Sequence, residues 1–200
     1  MVKKILYLST VGVPSEWAHG IQIMKMCDAF TAFGYDVTLV VPKRRIEIKQ
    51  DPFKYYDIKH RFRITKLPCL DICPGSPSRL TFLLRTVTFL VAAKLYVVGK
   101  RFNLVYTRLS LAGFFFRHSI LELHSIPEQP SRFLIRLWRR LTHIIVLNQF
   151  IKDTLIQHRI KNKNILIAAD GVDTEQFALK VTAKEARERL HLPLDKRIIM

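Results

Sequence analysis

His124 is the residue whose type and position most favour chemistry in this chain. It follows the apolar run Ser119–Leu123, which predicts a buried strand, and Pro127 then ends any strand pairing. A histidine at such a point can move a proton or donate to an anion near neutral pH. It can equally be a structural histidine bonded to a backbone carbonyl, and its position alone leaves both interpretations open.

Three further positions have the same kind of placement. Arg108 follows a predicted strand at 102–107 and could hold phosphate or sugar hydroxyls, or be a solvated surface arginine. Gly20, directly after His19, lies just inside the first predicted helix. There it would let an anion approach the helix N-terminus, or be a simple turn glycine. Gly171 is most simply explained by a left-handed turn.

The elements that must position these residues alternate between strand and helix. Apolar runs predict strands at 3–9, 36–41, 61–67, 102–107, 119–123, 142–147 and 164–168, with another beginning at 195. Helical spacing follows from 19 to Gly34, the expected C-terminal cap, and again at 79–100, 109–117, 129–141, 148–158 and 184–190. Segment 43–60 reads as an irregular surface excursion. The pattern predicts a Rossmann-like, doubly wound α/β domain with a parallel sheet of about seven strands.

Composition and charge narrow the class of protein. The chain is 49% hydrophobic and 10% aromatic, with only 7 Gly and 9 Pro, which is typical of a folded domain. A net charge of +17 calls for an anionic partner: nucleic acid, an anionic membrane, or a phosphate-bearing substrate. Nothing resembles a groove-reading motif, so nucleic acid is the weakest of these. The three cysteines are too few for a zinc site and are expected as buried or free thiols in a reducing cytosol.

Several nucleotide-binding and catalytic motifs are missing from the sequence. No Gly-x-Gly-x-x-Gly follows the first strand, so a dinucleotide cofactor is unsupported. There is no P-loop and no Gly-x-Ser-x-Gly elbow. Residues 79–99 form the most apolar long stretch, but Arg85 and Lys94 interrupt it too much to predict a membrane span.

Five segments in order carry a family resemblance. They are His19-Gly20 with GYDVTLV at 34–40, FNLVYTR at 102–108, LELHSIP at 121–127, VLN at 146–148, and ADGVDTEQF at 169–177. Together they resemble the amino-terminal half of GT-B glycosyltransferases, specifically glycosyltransferase family 4. Asp170 stands where that family usually has Asn, and Asn103 where it usually has Asp. The resemblance implies an acceptor-side domain at 1–178, with 179–200 as a linker helix and first strand of a donor-binding domain that is otherwise absent.

The resemblance also implies roles for particular residues. His124 matches the family histidine that lines the cleft near the transferred sugar, and is the expected catalytic residue. His19, Gly20, Arg108 and Gly171 are the expected substrate-binding residues. The donor would be a nucleotide sugar, used with retention of configuration, and the acceptor a glycan or a lipid-linked glycan. The resembled family usually needs no metal, and this chain has no Asp-x-Asp to hold one, so no metal or other cofactor is expected.

Two hypotheses about the whole molecule remain open. The first is a glycosyltransferase, here as an incomplete amino-terminal half; the second is a non-catalytic or partner-dependent binding module. Members of the resembled family often build lipid-linked glycans. The basic segments 129–141 and 43–63 are therefore expected to attach the protein peripherally to the cytoplasmic leaflet of an anionic membrane.

Overall fold

Apolar segments of the chain pair as a single parallel sheet. The computed structural model describes residues 2–71, 78–116, 118–178 and 180–198. Within them, the sheet has the order β3-β2-β1-β4-β5-β6-β7, with every neighbouring pair parallel. The strands are β1 (Lys4–Leu8), β2 (Asp36–Pro42), β3 (Arg63–Leu67), β4 (Leu104–Thr107), β5 (Ser119–Leu123), β6 (His143–Val146) and β7 (Ile165–Ile167). The order reverses direction between β1 and β4, which confirms the predicted Rossmann-like α/β fold.

Eight α-helices are formed by the described residues. They are α1 (Ala18–Ala32), α2 (Pro52–Tyr55), α3 (Arg79–Tyr96), α4 (Ala112–Phe115), α5 (Arg132–Arg140), α6 (Gln149–Gln157), α7 (Thr174–Phe177) and α8 (Ala183–Arg189). A short 3-10 turn, Asn162–Asn164, precedes β7. None of the helices in the described ranges is both long and apolar enough to cross a membrane.

Strand alternation assigns the core residues to two faces of the sheet. Tyr7 and Tyr106 are in register and point to one face, where they pack with Met24 and Cys27 of α1. Leu6 and Leu8 point to the other face, and pack against α3. Further along that second face, β5 and β6 pack against α5 and α6 around Trp138. Helices on both faces make the sheet doubly wound, as predicted.

The end of α1 confirms the predicted glycine cap. Gly34 has φ +83°, a left-handed conformation that glycine adopts without steric cost. Its N–H donates to the Thr31 carbonyl at 2.9 Å, and the N–H of Tyr35 donates to the Phe30 carbonyl at 3.1 Å. The rings of Phe30 and Tyr35 pack edge to face. This is a Schellman motif with its hydrophobic contact, and it turns the chain into β2.

Segment 43–60 contains a helix that the sequence analysis missed. Asp51 accepts hydrogen bonds from the N–H groups of Phe53 and Lys54, and Pro52 occupies the first turn of α2. Asp28 of α1 then accepts from the His60 N–H at 2.7 Å, and from its ring Nδ1 at 2.9 Å. The prediction of an irregular excursion was therefore wrong for 52–55, because an aspartate cap followed by proline starts a helical turn.

Several predicted boundaries shift inward. The helices predicted at 79–100, 109–117 and 129–141 form only over Arg79–Tyr96, Ala112–Phe115 and Arg132–Arg140. Ser131 caps α5 by accepting from the Leu134 N–H, so the two residues before it stay outside the helix. Residues 72–77, which include Cys73, lie outside the described residues.

Contacts divide the chain into two units, one up to Ala169 and one from Asp170. The second unit contains α7 and α8, and the Thr182 and Glu185 side chains form a capping box at the start of α8. Its residues 195–198 form no strand. The Arg187 guanidinium instead donates to the carbonyls of Pro193, Leu194 and Lys196, which holds them in a turn. The domain boundary predicted between residues 178 and 179 stays a prediction.

Candidate functional site

His124 lies directly beyond the carboxyl end of β5, as predicted. The strand ends at Leu123, and the segment from 124 to 131 runs as a loop to α5. The His124 side chain is 21% exposed. In open parallel sheets of this kind, ligands bind beside the carboxyl ends of the strands. His124 is thus both accessible and at the edge of the sheet where chemistry is expected.

Glu122 provides the contact that orients His124. Residues two apart in a strand share a face, so the two side chains lie on the same side of β5. His124 Nε2 is in hydrogen-bond contact with Glu122 Oε1, while Tyr106 of the neighbouring strand β4 donates to Glu122 Oε2 at 2.7 Å. Glu122 is 5% exposed. The buried carboxylate of Glu122 therefore lies between the hydroxyl of Tyr106 and the ring of His124 at the strand end.

Helix α1 and the end of β4 complete the group. Gln22 of α1 donates from Nε2 to Glu122 Oε1 at 3.3 Å, and its own Oε1 accepts from Arg108 at 2.8 Å. The Arg108 Nε lies 4.0 Å from Glu122 Oε1. We call Gln22, Tyr106, Arg108, Glu122 and His124 the Glu122 cluster. Three elements meet there: β4, β5 and α1. The strands β4 and β5 are neighbours in the sheet, and α1 crosses the face on which Tyr106 and Glu122 lie.

The electrostatics of the cluster keep the tyrosines protonated. Burial, and then the adjacent Glu122 carboxylate, raise the pKa of Tyr106 well above its ordinary value. The same two causes raise the pKa of Tyr7, whose ring lies 5.0 Å from that of Tyr106. The Tyr106 hydroxyl therefore stays protonated, and a donor, across the physiological pH range.

This arrangement sets what His124 can do. When Glu122 accepts from Nε2–H, the imidazole holds its proton on Nε2, so Nδ1 is an acceptor in the neutral ring and a donor in the protonated ring. A carboxylate behind a histidine also stabilises the positive charge that forms when the ring takes up a proton. The cluster can thus orient a hydroxyl group or donate to developing negative charge.

The structure brings together only part of the predicted site. Arg108 joins His124 in the Glu122 cluster. His19 lies exposed on the first turn of α1. Gly171 belongs to the second unit and is exposed, and its φ lies outside the left-handed range, so the predicted left-handed turn is wrong. The substrate-binding roles proposed for these residues stay predictions.

Gly20 is required for a reason the sequence did not indicate. It is buried, and a methyl group at this position would overlap the hydroxyl of Tyr56. That hydroxyl accepts from the Ser15 N–H at 2.6 Å and donates to the Ser15 carbonyl at 2.8 Å. The close approach at Gly20 is thus made by the Tyr56 side chain and not by a ligand. Through its two hydrogen bonds to Ser15, Tyr56 attaches the loop after β1 to the end of α2.

Glu122, Tyr106 and Gln22 are the site residues that sequence reasoning missed. Glu122 carried a signal, because a carboxylate inside an apolar strand, two residues before a histidine, is costly to bury unless it has partners. Tyr106 looked like an ordinary core aromatic. Gln22 had no signal, since its contact depends on where α1 crosses the sheet.

Comparison with known proteins establishes the fold. No protein-family model and no curated protein matches this sequence. Among solved structures, sucrose-phosphate synthase from Thermosynechococcus elongatus aligns with a TM-score of 0.65 and 17% identity, over 96% of this chain and 53% of its own. HepE from Anabaena, in complex with UDP and glucose, aligns with a TM-score of 0.61 and 17% identity, over 94% of this chain and 50% of its own.

A glycosyltransferase from Rickettsia africae aligns equally widely, with a TM-score of 0.62 and 13% identity, over 97% of this chain and 51% of its own. This chain thus spans about half the length of each of these three structures. Those structures are GT-B glycosyltransferases, and the chain has the fold of the amino-terminal half of such an enzyme.

Proposed function

We propose that this chain is the acceptor-side half of a GT-B glycosyltransferase, and that His124 acts at the transferred sugar. The observation that carries the proposal is the Glu122 cluster, which places an oriented, accessible histidine at the carboxyl edge of a GT-B-type sheet. In sugar transfer, charge develops on the sugar ring and on the leaving group. A histidine backed by a carboxylate is suited to orient sugar hydroxyls and to donate to that charge.

The donor and acceptor follow from chemistry and resemblance. HepE is described as a complex with UDP and glucose, which supports a nucleoside-diphosphate sugar as the donor class. The proposal includes retention of configuration and a glycan or lipid-linked acceptor, both implied by the family that the sequence resembles. It also includes action at the cytoplasmic membrane face, supported by the net charge of +17. No metal is invoked.

A second function is favoured by one observation. Arg108 and His124 both lie in the Glu122 cluster, so the same site could bind the hydroxyls of a glycan without transferring sugar to it. In that case His124 and Arg108 would contribute hydrogen bonds to sugar hydroxyls, with no donor needed. This is the binding-module alternative.

The decisive experiment compares two proteins. One is the 200-residue chain, and the other is that chain extended by the sequence that follows it in its gene. Both are assayed for transfer from radiolabelled UDP-, GDP- and ADP-linked sugars to glycan and lipid-extract acceptors. Glycan binding is measured in parallel by calorimetry.

Transfer by the extended protein, lowered about a hundredfold or more by His124→Ala, is the expected result. Glycan binding with no transfer by either protein would favour the binding module. If the two proteins neither bind glycan nor transfer sugar, both proposed functions are wrong.

A further inference from the structure

Helix α3 has apolar side chains on two opposite faces. One face packs on the sheet through Thr86, Phe89, Leu90 and Ala93, which are buried. The opposite face carries the α3 stripe, defined here as Leu80, Leu84, Val87, Val91 and Leu95. These residues are spaced by three or four, so they form one continuous line along the helix.

The α3 stripe is exposed along its whole length. Leu80 is 74% and Leu95 68% exposed, and the three residues between them are exposed too. Leu83 lies beside the line and is also exposed, and Val98 continues it just past the end of the helix. Single exposed apolar residues are normal on protein surfaces, but a contiguous helical stripe marks a surface that is covered by something else.

The surroundings of the stripe are basic. No aspartate or glutamate occurs from residue 72 to residue 121. Lys94 lies at the edge of the stripe, 5.3 Å above the Phe116 ring, and Lys100 lies just beyond the helix against the Tyr96 ring. A stripe of leucine and valine with lysines beside it complements an anionic surface with an apolar interior.

The neighbouring helices extend this character. Helix α4 packs beside α3 and exposes Phe114, and α5 packs beside α4 and exposes Phe133. Four arginines of α5 are also exposed: Arg132, Arg136, Arg139 and Arg140. Apolar residues suited to acyl chains and cations suited to phosphates thus lie along three successive helices on one side of the sheet.

We propose that helix α3 lies flat in the surface of an anionic lipid bilayer, with the α3 stripe inserted at the level of the acyl chains. An 18-residue helix is about 27 Å long, long enough for all five stripe residues to enter one leaflet side by side. A second copy of the chain is a poorer occupant, because two molecules of net charge +17 would repel at the contact. The inference rests on the membrane attachment included in the proposed function and names the surface that makes it. It can fail while sugar transfer stands.

Vesicle sedimentation tests the proposal. The native chain is mixed with vesicles of phosphatidylcholine alone, and of phosphatidylcholine with phosphatidylglycerol. The stripe variant is Leu80→Gln, Val91→Gln and Leu95→Gln, since glutamine keeps a high helix propensity. The matched control replaces three exposed apolar residues on other elements: Phe33→Gln, Phe150→Gln and Leu166→Gln. Circular dichroism and thermal melting verify that both variants fold.

The expected result is binding to anionic vesicles that the stripe variant weakens at least about tenfold and the control variant leaves within about twofold. Binding should also persist in part at 1 M salt, where surface charge is screened but insertion is not. Equal binding by the stripe variant, or no binding by the native chain, would overturn the proposal. So would a native dimer in gel filtration that only the stripe variant dissociates, since the stripe would then pair two copies.

A second measurement covers the case in which the triple variant fails to fold. A single Val91→Trp reporter is compared with Phe150→Trp in vesicles containing brominated lipid. If the stripe is immersed, brominated lipid should quench the fluorescence of Val91→Trp more than that of the native chain, which has two tryptophans. Quenching of Phe150→Trp should not exceed that of the native chain. Equal quenching of the two reporters would also overturn the proposal.

Discussion

The hydroxyl of Tyr106 on β4 donates a 2.7 Å hydrogen bond to Glu122 Oε2 on β5, and the other oxygen of that carboxylate contacts His124. A single buried carboxylate therefore connects the core of the sheet to the carboxyl end of β5. Substitutions of Tyr106, Glu122 and His124 are therefore expected to change different properties: stability, the tautomer of His124, and sugar transfer.

Tyr106→Phe should destabilise the protein by about 1–3 kcal/mol, because Glu122 loses a buried donor while the ring packing is kept. Thermal melting and urea unfolding measure the change. Tyr35→Phe is the matched control, since the Tyr35 ring packs on Phe30 at the end of α1, away from Glu122. Equal stability of the two variants would mean that the Tyr106 hydroxyl contributes nothing to the cluster.

The tautomer of His124 should follow from Glu122. In the native protein, imidazole ¹⁵N chemical shifts are expected to show the proton on Nε2 in the neutral ring, because Glu122 accepts there. In Glu122→Met, which keeps the length of the side chain but removes the acceptor, the two tautomers should mix. A native ring with its proton on Nδ1 would contradict the orientation inferred for His124.

His124→Ala should lower sugar transfer by about a hundredfold or more in a protein that carries out transfer. Its stability should fall less than that of Tyr106→Phe, because Gln22 still donates to Glu122 Oε1. His118→Ala is the control, since His118 is exposed and precedes β5, whereas His124 follows it. Radiolabelled transfer assays compare the two. A similar loss in both variants would assign the effect to β5 as a whole.

Gly20→Ala should destabilise the protein by about 1–3 kcal/mol, because the added methyl overlaps the Tyr56 hydroxyl. Tyr56→Phe should also destabilise it, through loss of the two hydrogen bonds to Ser15. In the double variant the overlap is relieved, so its cost should be less than the sum of the single costs. Strict additivity in denaturant unfolding would show that the two residues do not interact.

Stability in acid should depend on Asp71. Burial alone would raise the pKa of this carboxyl group. However, Arg44, which donates to it at 2.6 Å, and Arg85, which donates at 3.3 Å, lower that pKa below its ordinary value. A lowered pKa contributes stability that is present above the unfolded-state pKa and is lost as the pH falls through the folded-state pKa.

Asp71→Asn should therefore destabilise the protein at pH 7, and the difference from the native chain should shrink below about pH 4. Urea unfolding at a series of pH values measures this difference. Glu188→Gln, at an exposed site on α8, is the control and should stay close to the native chain throughout. A constant difference for Asp71→Asn would show that charge pairing is not its cause.

Local features were predictable from the sequence where neighbouring residues decide them. The apolar runs of β1 and β2 and the Gly34 cap are confirmed, because each depends on residues within a few positions. The alternation of strands and helices likewise predicted the doubly wound sheet. The turn at Asp51-Pro52 and the Thr182–Glu185 capping box were local signals too, and were available without a structure.

The site and the surfaces were decided by tertiary structure. Glu122, Tyr106 and Gln22 meet only because β4 pairs with β5 and α1 crosses above them, which brings residues about a hundred positions apart into contact. Gly20 is explained by Tyr56, which is distant in sequence.

Helix α3 is the clearest case. Its sequence is apolar on two opposite faces, and a helical pattern alone cannot tell which face a sheet will cover. Packing settles this, because the Phe89 face fits against Leu6 and Leu8 and leaves the α3 stripe exposed. The sequence by itself thus determined the elements and the class of fold. The arrangement of those elements determined which side chains form the site and which remain at the surface.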